Sequence, residues 1–216
     1  MLKLCIFDLD GTTADTIEDL SHAADYALRR QGLPTHTLDE YKYFVGNGIP
    51  KLISRAANTE DKAVLQELLR DFKDYYANHL TDKTKAYTGI NEMLKALSNK
   101  GIELAVYSNK ADEYVGIILK ELFPDISFLW YAGNRDGYSP KPDVELMTCF
   151  LKRDNIKPEE CLFIGDSNVD IQTAKNAKMR SCGVLWGFRT REELENEGAD
   201  FIAAEPVDIV NIVDKL

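Results

Sequence analysis

Along this chain, short apolar runs alternate with longer stretches in which apolar residues recur every three or four positions. The runs "LKLCIF", "IELAVYS", "ISFLWYAG", "ECLFIGD" and "RSCGVLW" have the length and character of buried strands. Between them, "GINEMLKALSNKG" places Ile90, Met93, Leu94 and Leu97 on one helical face and stops at Gly101. "PDVELMTCFLKRD" does the same with Val144, Met147, Phe150 and Leu151, and Pro142 stands just ahead of it. Strand and helix in alternation predict an α/β fold, a parallel sheet with helices on both faces.

The alternation fails between residues 17 and 84. There "IEDLSHAADYALRRQG", "TLDEYKYFV", "PKLISRAA" and "DKAVLQELLRDFKDYYANHL" read as helices only, separated by turn signals at Gly32-Leu33-Pro34 and Gly46-Asn47-Gly48. The pattern predicts an α/β core made of residues 1–16 and 85–216, with residues 17–84 inserted as a small α-helical cap domain above the first strand.

Charge narrows the function. The 216 residues carry a formal net charge of -10, which opposes nonspecific binding to nucleic acid or to an anionic membrane. Any anionic ligand must therefore be held by local positive features. No run approaches the roughly 18 apolar residues of a membrane span. Asp8 and Asp10 also interrupt the region where a signal peptide needs apolar residues, so the expected location is cytoplasmic. Cys5, Cys149, Cys161 and Cys182 form no C-x-x-C pair and lie in or beside apolar runs, the pattern of reduced, packed thiols.

Four polar clusters fall at or just after predicted strand ends: Asp8-Leu9-Asp10-Gly11-Thr12, Ser108-Asn109-Lys110, Lys141-Pro142-Asp143, and Gly165 to Asp170. In an open parallel sheet ligands bind in the crevice outside the carboxyl ends of the strands, where these clusters would converge. Taken in order, "DLDGT", "YSNK", "PKPD" and "GDSNVD" resemble the four motifs of the haloacid dehalogenase superfamily, in its phosphatase branch with a helical cap after the first motif. The resemblance spans nearly the whole chain and implies a Rossmann-like core.

A phosphate monoester repels an anionic nucleophile, so its site must first neutralise charge. Asp8 and Asp166, with a backbone carbonyl near Asp10, offer the hard oxygen ligands that suit Mg2+. Ser108 and Asn109 can donate to the phosphoryl group, Lys141 can place an ammonium against its oxygens, and Gly11 completes the phosphate loop. Asp170 completes or orients the metal shell, or else serves as an ordinary first-turn acid. The resemblance implies that Asp8 attacks phosphorus to form an aspartyl-phosphate. It also implies that Asp10 protonates the leaving oxygen and later deprotonates water. One position departs from the family pattern: Thr13 stands where leucine is common, which bears on packing beneath the cap hinge.

Within the cap, "VGNGIPKLISRA" joins Gly46, Asn47 and Gly48 to a helix start bearing Lys51 and Arg55. This loop and "WGFR" at Trp186 to Arg189 are similar to phosphoglycolate phosphatase-like members. The expected substrate is thus a small phosphorylated metabolite, with Asn47, Lys51 or Arg55 touching its leaving group. A pyrophosphatase, a nucleotide phosphatase and a sugar phosphomutase share the mechanism. A phosphonate hydrolase would need a Schiff-base lysine, for which Lys42 and Lys51 are the formal candidates.

Overall fold

The computed structural model describes residues 1–216, with strands β1 (Leu4–Phe7), β2 (Ala14–Asp15), β3 (Lys85–Ala86), β4 (Glu103–Ala111), β5 (Trp130–Asn134), β6 (Cys161–Gly165), β7 (Arg180–Val184) and β8 (Phe201–Ala203). Its helices are α1 (Ile17–Arg30), α2 (Leu38–Phe44), α3 (Ile49–Ala57), α4 (Lys62–Tyr76), α5 (Ile90–Asn99), α6 (Asp112–Leu122), α7 (Glu145–Arg153), α8 (Asn168–Asn176), α9 (Arg191–Asn196) and α10 (Pro206–Val213). Six strands form one sheet in the order β5-β4-β1-β6-β7-β8, every pair parallel. The expected α/β fold is borne out.

The sheet is buried on both faces because each strand supplies apolar residues in both directions. Leu4 and Ile6 of β1 pack with Tyr107, Phe163, Met147 and Leu151 on the side of α7 and α8. Cys5 and Phe7 point the other way, into a larger cluster with Leu94, Ile118 and Ile209 from α5, α6 and α10. Side chains alternate across a strand, so a single apolar run serves two layers of helix.

Chain order leaves β1 in the middle of the sheet. Connections run outward to β4 and β5 on one side and to β6, β7 and β8 on the other, so a crevice opens where the order reverses, between β1 and β6. Asp8 and Asp166 each follow the last residue of one of these two strands.

Four helices, α1 to α4, fill the span between β2 and β3, as the periodicity predicts. Both ends of this insert are tied together. Ala14 pairs with Ala86 and Asp15 with Lys85 in a two-stranded antiparallel ribbon. Asp19, buried in the first turn of α1, accepts hydrogen bonds from the backbone N–H of Lys83 and of Thr84 and from the Thr84 hydroxyl. The insert shares its apolar interior with one face of the core through Leu20, Leu52, Phe72 and Tyr76.

Some local expectations change. The "ISFLWYAG" run becomes strand only from Trp130, with Ile126 and Phe128 packing from an irregular segment. Edge strand β8 and the β2–β3 ribbon were not foreseen. Cys5, Cys161 and Cys182 are buried free thiols, whereas Cys149 is exposed on α7. Burial pushes the Cys161 and Cys182 thiols up to about 12, which keeps them protonated. No helix is long and apolar enough to cross a membrane.

Candidate active site

The loop after β1 is wound tightly around one carbonyl. The N–H groups of Thr12, Thr13 and Ala14 all donate to Leu9 O, and Gly11 sits at φ 85°. A Cβ on Gly11 would lie 2.5 Å from Asp166 Oδ2, so only glycine lets the loop approach that acid. Thr13 is fully buried, and its hydroxyl donates to Asp8 O at 3.2 Å. The departure at Thr13 thus exchanges an apolar side chain for a hydrogen bond behind Asp8.

Asp8 lies almost wholly buried at the end of β1. Its Oδ1 accepts from the Leu9 N–H at 2.7 Å and stands 2.9 Å from Lys141 Nζ. Lys141 also donates to Asp170 Oδ1 at 2.7 Å, and the other Asp170 oxygen takes the Ser167 hydroxyl and N–H at 2.7 and 3.0 Å. Asp170 therefore holds the lysine and closes the first turn of α8 at once. The Lys141-Pro142 peptide is cis.

Asp166 accepts from the Phe188 N–H at 2.8 Å and from the Thr12 hydroxyl at 3.2 Å, and no ammonium or guanidinium pairs with it. Ligand oxygens of Asp8, Asp166 and Asp170 lie within 4.8 Å of one another. Burial, reinforced by Asp170 and Asp8, raises the Asp166 carboxyl to about 8. Burial likewise raises Asp8 to about 6, against the pull of Lys141. Burial also works against the charge on Lys141, but Asp170 and Asp8 outweigh it and hold the ammonium above its ordinary range.

A second buried ion pair stands beside the first. Lys110 Nζ lies 2.9 Å from Asp10 Oδ1 and 2.7 Å from Tyr76 Oη, at the end of α4. Asp10 also accepts from the Thr16 hydroxyl at 2.7 Å. Sequence reasoning placed Lys110 in a cluster but gave it no task, and it passed over Tyr76. For Lys110 the available signal was its place in the polar cluster beside Ser108 and Asn109. For Tyr76 there was none, because its spacing on α4 is that of any core aromatic.

Asp8, Asp10, Ser108, Asn109 and Lys110 meet Gly46, Gly48 and Ile49 of the insert around a cavity of about 30 Å³, walled by Leu20, Val45 and Leu52. Asn109 is a bracket. Its amide donates to Gly46 O at 3.0 Å and to Lys141 O at 3.1 Å, and its Oδ1 accepts from the Lys141 N–H at 2.6 Å. Its donors and its acceptor are engaged with backbone, while the residue itself lines the cavity.

Asn47, Lys51 and Arg55, expected at the leaving group, have other partners in this arrangement. Arg55 donates to Phe44 O at 2.9 Å and to Asn47 Oδ1 at 2.8 Å, closing the open carbonyl end of α2, and Lys51 is exposed. None of the three lines the cavity. Gly46 and Gly48 do, at φ 116° and 82°. A further residue, Arg189, follows β7 and reaches across to the carbonyls of Lys42 and Val45, fastening the same helix end to the core.

Residues 5–184 match the family model described as haloacid dehalogenase-like hydrolase. The chain belongs to the haloacid dehalogenase-like hydrolases. A phosphoglycolate phosphatase of Vibrio vulnificus is 33% identical over 219 residues, covering 98% of this chain and 96% of the relative. Another, from Pseudomonas putida, is 31% identical over 93% of this chain and 75% of its own length. Among solved structures of such hydrolases, one from Lactobacillus delbrueckii subsp. bulgaricus superposes with a TM-score of 0.91 at 34% identity, covering 98% of each chain. The resemblance read from the four motifs is thus borne out over most of the chain.

Proposed function

We propose that this hydrolase is a Mg2+-dependent cytoplasmic phosphatase that cleaves a small phosphorylated metabolite of the 2-phosphoglycolate kind through an aspartyl-phosphate on Asp8. The observation that carries this reading is Asp8, which lines a cavity of about 30 Å³ together with Asp10 and is paired at 2.9 Å with the buried Lys141. Asp8 attacks phosphorus with one carboxylate oxygen while the bond from phosphorus to the leaving oxygen breaks. The Asp10 proton passes to that oxygen. Asp10 then takes a proton from water as the water oxygen attacks phosphorus, phosphate leaves, and the Asp8 carboxylate is restored.

Lys141, paired with Asp8, balances charge on the phosphoryl oxygens, and Ser108 lines the cavity as a donor to them. The donor set fits Mg2+. It consists of hard carboxylate oxygens, one of them on a buried Asp166 with no ion-pair partner. Asp8, Asp166 and the Asp10 carbonyl would hold the ion, with Asp170 behind them steering Lys141. When bound, the ion supplies positive charge that offsets the repulsion between Asp8 and the phosphoryl group.

The cavity has room for a water-sized guest, so residues 17–84 must act as a cap that lifts to admit substrate. The glycines and the first amides of α3 at the cavity rim suit a small carboxylate. Lys42 pairs with Asp39 on the surface and neither it nor Lys51 lines the cavity, which removes support for a Schiff base.

Phosphate release with Mg2+ from 2-phosphoglycolate, pyrophosphate, nucleoside monophosphates and hexose phosphates tests the reading. Selective, EDTA-sensitive turnover of the smallest monoester is expected. A hexose phosphate isomerised without free phosphate would replace the phosphatase by the mutase.

The metal site also fixes a pH dependence. Asp8 and Asp166 are raised from 3.8, so the stability they contribute is full below about pH 4 and is lost as pH rises through about 6 and about 8. Mg2+ binds the ionised carboxylates and reverses that loss. The expected result is a larger Mg2+-induced rise in Tm at pH 8 than at pH 5, read by thermal unfolding. Equal shifts at the two pH values would dismiss the site.

A further inference from the structure

Lys110 differs from Lys141 in where its partners come from. Lys141 binds two acids of the core, whereas Lys110 bridges the core and the insert: its ammonium meets Asp10 Oδ1 at 2.9 Å, Asp10 Oδ2 at 3.3 Å and Tyr76 Oη at 2.7 Å. The side chain is 1% exposed, and its charge also lies 4.9 Å from the Tyr76 ring centre. An ammonium has three donors, and these three acceptors occupy them. Lys110 is therefore saturated by protein and is not free to bind a substrate anion, although it lines the cavity.

We propose that Lys110 is a positioning residue that aligns the Asp10 carboxylate only when Tyr76 of the insert is seated against it. The proposal rests on the reading of Asp10 as the acid that protonates the leaving oxygen. Asp10 Oδ1 accepts both from the hydroxyl of Thr16, just ahead of the insert, and from Lys110, whose ammonium also reaches Oδ2. Lifting α4 removes Tyr76, and the ammonium loses the acceptor that fixes its direction. The carboxylate then turns with it, so proton transfer is disarmed while the cavity is open to water. Closure restores the three-way contact and the alignment together.

The test uses the full-length protein with Mg2+ and compares kcat/KM for two small substrates. One is 2-phosphoglycolate, or the alkyl monoester the panel turns over best, whose alkoxide needs a proton as it leaves. The other is acetyl phosphate, whose acetate leaves without one. Lys110→Met is expected to lower kcat/KM roughly 100-fold for the alkyl ester and less than about 10-fold for acetyl phosphate, within the range of acid catalysis. Tyr76→Phe removes a single oxygen from a buried ring. It is expected to show the same bias at about a tenth of the size, and it carries the test if Lys110→Met fails to fold.

Equal losses on both substrates in both variants would overturn the proposal, since a merely structural role moves the two together. Asp10→Asn separates the two levels of inference. If it lacks the leaving-group bias, the reading of Asp10 as acid fails and takes the proposal with it. If Asp10→Asn shows the bias and the Lys110 and Tyr76 variants do not, only the positioning role falls.

Discussion

Asp8→Asn is expected to reduce phosphate release by at least about 10⁴-fold while leaving Tm unchanged or raised. An amide of the same shape keeps the Leu9 N–H contact but offers phosphorus no anionic oxygen. Stability should not suffer, because burial already opposes the Asp8 charge and Lys141 keeps its 2.7 Å partner, Asp170. Steady-state turnover and a melting curve on the same sample check both halves. Activity within tenfold of the parent would remove Asp8 as the nucleophile.

Lys141→Met should do the reverse and damage the fold as well as the chemistry. The substitution leaves Asp8 and Asp170 facing each other in a buried site with no cation between them. Breaking a buried pair from one side costs about 3–5 kcal/mol. For a chain of this size that corresponds to a fall in Tm of roughly 6–20 °C. The penalty should be smaller at pH 5 than at pH 8, because protonating Asp8 removes one of the stranded charges. Adding Asp170→Asn should recover part of the loss. A pH-independent fall in Tm would mean that Lys141 acts by packing alone.

The core was legible because burial on both faces writes uninterrupted apolar runs, and because Asp8 and Asp166 follow such runs directly. Strand β8 was not, since Phe201–Ala203 at the sheet edge is too short to leave a pattern. Ile126 and Phe128 misled for the opposite reason: an apolar stretch packs as well from a turn as from a strand. In the insert, Lys51 and Arg55 looked like anion ligands, yet composition cannot distinguish a guanidinium facing a cavity from one closing a helix end. Lys110, Tyr76 and Arg189 meet partners far away in the chain, and that relation exists only after folding.

The position of β1 has a consequence for synthesis. Leu4 pairs with Glu103 on one side and with Cys161 on the other. At ordinary translation rates the strand waits on the order of ten seconds for its second neighbour to be made. During that wait the edge that β6 covers stays open, and until β4 is made the other edge does too, while the helices of the insert can meet one another without it. A polypeptide released before Asp166 carries Asp8 without the β6 wall of its crevice and without Asp170, which holds Lys141, so termination there yields an inert chain with a sticky strand rather than a weakened enzyme.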